Sequence, residues 1–176
     1  MTWRTHLAGG LASLAVIPFA PSSTSLALGC VFAALGSLLP DLDARESKLS
    51  NVQIVGVAPL KPLAWVVSRR LGHRGPLHSL LALLVVTVGI SLPLSLFLDP
   101  LAGIGLSLGF ASHILLDACT KSGVPLRWPE LGRVRLLPPR LRFTTGSMAE
   151  DILFLLLALL AVTYFVQSGT ARFPTP

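Results

Sequence analysis

Four histidines and eight acidic residues hold most of the acid–base and metal-binding chemistry open to this 176-residue chain. The sharpest pairing is His113 with Asp117, an HxxxD motif inside an otherwise apolar run. On a helix this i,i+4 spacing stacks both side chains on one face, their Cβ atoms about 5–6 Å apart. The pair suits two ligands of one ion, or ligands of adjacent ions. The metal-free alternative is a structural hydrogen bond between the two. An ionisable residue at membrane depth is costly to desolvate, which favours the functional reading.

Pro40-Asp41-Leu42-Asp43 adds two carboxylates, one residue apart, where an apolar run stops. In a turn they can converge on a cation, although Asp after Pro is also an ordinary helix-stop feature. His73-Arg74-Gly75-Pro76-Leu77-His78-Ser79 supplies two imidazoles. Pro76 suits a first helical turn, which would place His78 just inside a helix and His73 in the loop before it. His6 follows Thr5, a candidate N-cap. Glu150 has two explanations: a metal ligand, or the acidic half of the capping box Ser147-Met148-Ala149-Glu150. Asp151 complements a helix dipole. Cys30 and Cys119 are isolated, so neither a disulfide framework nor a thiolate zinc site is expected.

The elements that must position these residues are membrane helices. Hydrophobic residues make up 52% of the chain and charged residues 12%, against about 25% charged in soluble domains. Mean hydropathy is +0.73. This excludes a disordered chain, a coiled coil and an ordinary soluble enzyme. Five apolar stretches stand out, roughly Leu7–Ala20, Thr24–Leu39, Ser79–Leu98, Leu101–Ala118 and Ile152–Gln167. A spanning helix needs about 20 apolar residues, so the first two are either a short spanning pair or a re-entrant hairpin. Asp99-Pro100 predicts a tight turn, Pro93 a kink, and Gly105 with Gly109 a GxxxG contact that makes the fourth stretch central. Read as a signal peptide, the first twenty residues would take His6 away on cleavage; Gly9, Gly10 and Pro18 count against that.

The net charge of +6 does not point to nucleic acid, because the basic residues follow topology. With five passes, thirteen of the fourteen lysines and arginines fall on one side, with Arg172 alone on the other. The positive-inside rule makes that side cytoplasmic, with the N-terminus inside and the C-terminus outside. Every histidine then lies at the cytoplasmic end of a helix. The arginine-rich segment Lys121–Arg142, with Trp128, suits anionic lipid headgroups, and could also cover a site.

Assembled, Thr5-His6, Pro40-Asp41-Leu42-Asp43, the His73–Ser79 run and Ser112-His113-Ile114-Leu115-Leu116-Asp117 form a pattern, supported by Gly123-Val124-Pro125 and Trp128-Pro129. It resembles the YdjM-like family of LexA-regulated, membrane-bound, metal-dependent hydrolases, distantly similar to zinc-dependent phospholipase C. Leu77 departs from the family's frequent threonine. The resemblance implies His6, Asp41, Asp43, His73, His78, His113, Asp117 and Glu150 as metal ligands.

The expectation is one all-α domain over residues 1–176, a polytopic bundle of about five transmembrane or re-entrant helices in the inner membrane. Its histidine–carboxylate mix suits zinc, with manganese or iron as alternatives. The expected chemistry is phosphoester hydrolysis, by attack of an activated water on phosphorus while a second metal steadies the leaving oxygen. Asp41 or Asp43 would be the general base if not a ligand. Membrane lipids are the expected partners, a phospholipid or polyprenyl phosphate the expected substrate, and nucleic acid is not expected. The alternative is a metal-binding membrane protein that transports or senses an ion. Transport would call for ionisable residues near the midplane, and the sequence places almost none there.

Overall fold

The computed structural model describes residues 1–17, 21–43, 75–130 and 132–170. Helix α1 (Trp3–Ala12) runs on into a 3₁₀ turn, Ser13–Val16. Helix α2 (Ser23–Leu38) ends in a second 3₁₀ turn, Leu39–Asp43. A third turn, Pro76–His78, leads into α3 (Leu80–Phe97). The bundle is completed by α4 (Pro100–Ala118) and α5 (Met148–Thr170). Four described helices, α2 to α5, are long and apolar enough to cross a membrane. The first apolar stretch falls short: α1 has ten residues, about 15 Å of helix against a hydrocarbon core of about 30 Å. It packs instead against α2, α4 and α5.

Helix α4 is the axis of the bundle, with Leu106, Phe110 and Ile114 buried. Small residues let α2 approach it backbone to backbone. A Cβ added at Gly109 would lie 2.1 Å from the Ala33 carbonyl oxygen, and one at Gly36 only 2.2 Å from that of Leu106. In a bilayer, where lipid removes the hydrophobic drive, such close contact is a main source of helix association. The expected GxxxG contact is therefore present, with α2 as its partner. Helices α3 and α5 turn large apolar side chains outward, among them Leu84, Val85, Leu155 and Leu159.

Pro93 has the effect expected of it, in a particular form. It lacks an N–H, and its ring crowds the carbonyl four residues back. Helix α3 absorbs this with one π-helical turn, Thr87–Ser91, immediately before Leu92. At the same end of the bundle as the α3–α4 turn, Asp99 caps α4: its Oδ1 accepts from the Leu101 N–H at 2.8 Å. Its Oδ2 accepts from the Ser25 hydroxyl at 2.7 Å, tying in the start of α2.

The opposite end carries a cap built from the α4–α5 connection. Among the described residues it has no strand, only isolated bridges pairing Thr120 with Phe143 and Val124 with Val134. Gly123 turns the chain at φ +62°, a conformation that favours glycine. The cap is stitched to the helices by Leu136 N–H to the Ala118 carbonyl (2.9 Å) and Leu80 N–H to the Leu126 carbonyl (3.0 Å).

Candidate metal centre

Beneath that cap, four separate parts of the chain deliver ligand-type side chains to one place. Helix α1 contributes His6, the turn after α2 contributes Asp41, the turn before α3 contributes His78, and α4 contributes His113 and Asp117. His6, His78, His113 and Asp117 are at most 1% exposed, whereas Asp41 is 22% exposed. The cluster therefore meets solvent at Asp41.

The donor atoms face one another. His113 Nε2 is 3.2 Å from His78 Nε2 and 3.7 Å from Asp41 Oδ1. His6 Nε2 is 3.4 Å from Asp117 Oδ1, and His78 Nε2 is 3.8 Å from Asp117 Oδ2. Donors bound at about 2.0–2.1 Å to one ion stand roughly 3–3.6 Å apart at angles near 90–120°, and about 4 Å apart when opposed. The observed spacings fall in that range. Two triads bring their donor atoms within 4.8 Å of one another, His6–Asp41–His113 and His78–His113–Asp117. His113 belongs to both.

One hydrogen bond fixes what His113 offers. Its Nδ1 lies 2.6 Å from the Ser37 carbonyl oxygen, in the last turn of α2. A carbonyl only accepts, so Nδ1 carries the proton and Nε2 keeps its lone pair toward the cluster. With a single nitrogen to give, His113 suits one ion shared by both triads. The His6 ring stacks on His113, centroids 3.6 Å apart and planes 11° from parallel. His6 Nδ1 is buried with no hydrogen-bond partner among the described residues.

Two carboxylates are part of the cluster. Asp117 accepts from the α-ammonium of Met1, and Asp41 adds a second carboxylate. Histidines acting as ligands are neutral, so in the ligand-type set named here the charge comes from the two carboxylates. Buried charge is expensive unless paired or bound to metal. The residues present fit a divalent ion of the zinc type, by donor chemistry and spacing.

Glu150 stands apart from these triads. Its Oε1 accepts from the Thr2 N–H and, at 2.9 Å, from the Thr5 hydroxyl; its Oε2 accepts from the Gly146 N–H at 2.7 Å. It is 1% exposed, and it clamps the first turn of α1 to the first turn of α5. The capping contact at Ser147 is present, its hydroxyl oxygen accepting from the Glu150 N–H at 3.4 Å. The Glu150 carboxylate, however, reaches Gly146 rather than Ser147.

Two local expectations are corrected. Thr2, not Thr5, occupies the N-cap position of α1, which leaves the Thr5 hydroxyl to bond Glu150. His78 lies outside α3, because Ser79 takes the cap: its hydroxyl accepts from the Ala82 N–H at 3.1 Å. The side chain of Asp43 and the whole of His73 lie outside the described residues. Sequence reasoning missed the Ser37 carbonyl, a backbone atom with no residue-type signal. It also missed Thr2 and Gly146 as partners of Glu150.

Comparison with known proteins places the chain among relatives of the same kind. A family model described as YdjM inner membrane protein matches residues 1–173. The uncharacterized protein YvsG of Bacillus subtilis is 34% identical over 165 residues, covering 94% of each chain. The inner membrane protein YdjM of Escherichia coli is 42% identical over 106 residues, covering 59% of this chain and 50% of that one. No solved structure matches.

Proposed function

We propose that this chain, which belongs to the YdjM inner membrane protein family, is a metal-dependent hydrolase acting on a phosphoester at the membrane surface. The observation that supports this best is the convergence of three imidazoles and two carboxylates at one end of an otherwise apolar bundle. Burying such groups is costly unless they are paired or hold an ion.

His6, His78, His113, Asp41 and Asp117 would hold the ion, with zinc the best fit and manganese or iron as alternatives. Bound there, a divalent cation supplies Lewis acidity, polarising a phosphoryl oxygen and making water a better nucleophile. The chain's own residues do the rest. The Ser37 carbonyl keeps His113 in the tautomer that presents Nε2. Asp41, at the solvent edge, is placed to take a proton from the attacking water if it is not itself a ligand. The remaining donors are buried.

The basic residues favour the cytoplasmic face for this site, with the N-terminus inside and the C-terminus outside. A site at headgroup level favours a phospholipid or polyprenyl phosphate over a soluble ester. Control by the DNA-damage repressor LexA is a proposal about the promoter, tested by measuring the transcript after DNA damage.

The test is elemental mass spectrometry of detergent-purified protein beside His113→Ala/Asp117→Ala. Near-stoichiometric zinc or manganese, lost in the double variant, supports the centre and calls for a screen of lipid phosphoesters. Well-folded protein that takes up no metal even on adding it back refutes the reading. Stoichiometric metal without hydrolysis of any lipid phosphoester would leave an ion-binding or ion-sensing protein.

A further inference from the structure

A groove of about 480 Å³ runs down the outward side of α4, beside α3. Leu83, Leu108, Ala111 and Leu115 line it, together with Leu126 and Leu136 of the cap. The hydroxyls on its border do not make it polar. Ser13 donates back to the Gly10 carbonyl at 2.6 Å, and Ser112 to that of Gly109 at 2.8 Å. Leu115, in its wall, is 57% exposed. The wall and the metal-ligand cluster share α4: Ser112 and Ile114 flank His113, and Ala118 follows Asp117.

The charge of the cap is one-sided. Residues 121–142 carry six basic side chains (Lys121, Arg127, Arg133, Arg135, Arg140, Arg142) and one acid, Glu130. Arg127 and Arg135 adjoin the groove-lining Leu126 and Leu136 in sequence. Glu130 pairs with Arg127, exposed, at 3.6 Å. An apolar channel bordered by a basic cap matches an amphiphile with a hydrocarbon chain and an anionic head. Guanidinium forks fit phosphate oxygens in particular.

We propose that this groove seats one hydrocarbon chain of a phosphate-bearing lipid, with the cap arginines holding its phosphate beside the ligand cluster. That this lipid is also the substrate rests on the hydrolase reading; its binding does not.

The experiment uses full-length protein in phosphatidylcholine vesicles, with chain-spin-labelled phosphatidic acid or phosphatidylcholine of identical chains as probe. Electron paramagnetic resonance reads the motionally restricted fraction, and metal content is measured on the same samples. The acidic lipid should be preferred several-fold. Arg127→Gln/Arg135→Gln should bring the ratio close to one. Ala111→Phe, which fills the groove from a lipid-facing position, should remove the preference while metal content holds; Leu115→Trp is the second blocking variant. Glycerol phosphate should not compete. Equal association of the two lipids, a preference that survives both blocking variants, or displacement by glycerol phosphate would each overturn the proposal. Preference without metal keeps the groove and sinks the hydrolase; metal without preference does the reverse.

Discussion

Glu150→Gln separates two roles that one acidic residue could play. In the structure this carboxylate accepts from Thr2, Thr5 and Gly146 and belongs to neither donor triad. The amide keeps one oxygen, which can stay on Thr2 and Thr5. Its NH₂ then faces the Gly146 N–H, donor against donor. One hydrogen bond to a charged group is lost, worth about 1.5–3 kcal/mol. The two that remain lose their charge assistance, which is about half their strength. The Gly146 bond is local to the start of α5, so docking of α1 loses only the charge assistance at Thr2 and Thr5. It should weaken by about 2 kcal/mol in all, roughly thirty-fold in the docked population. His6 rides on α1, so metal affinity should fall about 10–100-fold, as for loss of an outer-shell partner. Saturating metal should still bind at wild-type stoichiometry. The assay is metal titration against a competing chelator, with elemental analysis of the saturated protein. Loss of stoichiometry at saturation would make Glu150 a ligand and refute the clamp. An unchanged affinity would show that α1 docks without it.

Other outcomes follow from packing and topology. Gly109→Leu sets a side chain where a Cβ alone would sit 2.1 Å from the Ala33 carbonyl. It should cost about 3 kcal/mol or more, seen as a large fall in thermal midpoint in detergent, whereas Gly89→Leu, with open space around it, should be neutral. Asp99→Ala removes the cap of α4 and the tie to Ser25 and should cost about 1–2 kcal/mol, with metal binding at the far end unchanged. A reporter fused after residue 176 should read periplasmic, and one inserted at Gly132 cytoplasmic; the reverse pattern would overturn the orientation.

How much of this was legible depended on whether the signal is local. The HxxxD pair is one helical turn on one face, so His113 and Asp117 were readable as a unit. The Asp99-Pro100 turn and the central place of α4 were readable because Pro, Gly and Asp report backbone constraints directly. His78 was placed one residue too far, inside the helix, because Pro76 fits the first turn of a 3₁₀ helix as well as of an α-helix. There the stronger cap, Ser79, decided the boundary. The clamp at Glu150 was half visible: the capping box is a four-residue pattern, but its link to Thr2 and Thr5 needs α1 to lie beside α5, which no short pattern encodes. The Ser37 carbonyl was invisible for a simpler reason: every residue has one, and only the approach of α2 to α4 makes this one matter.

The order of the donors along the chain has a consequence for how the protein is made. Residues 6, 41, 78, 113 and 117 leave the ribosome in that sequence, and Asp117 belongs to α4, late among the described helices. Until α4 is inserted, His6 and Asp41 have neither the carboxylate nor the stacked imidazole that completes their surroundings. Assembly of the cluster is thus a late event in biogenesis, and a chain stalled before residue 113 presents unmatched polar groups at the bilayer, the kind of defect that membrane quality-control proteases can recognise.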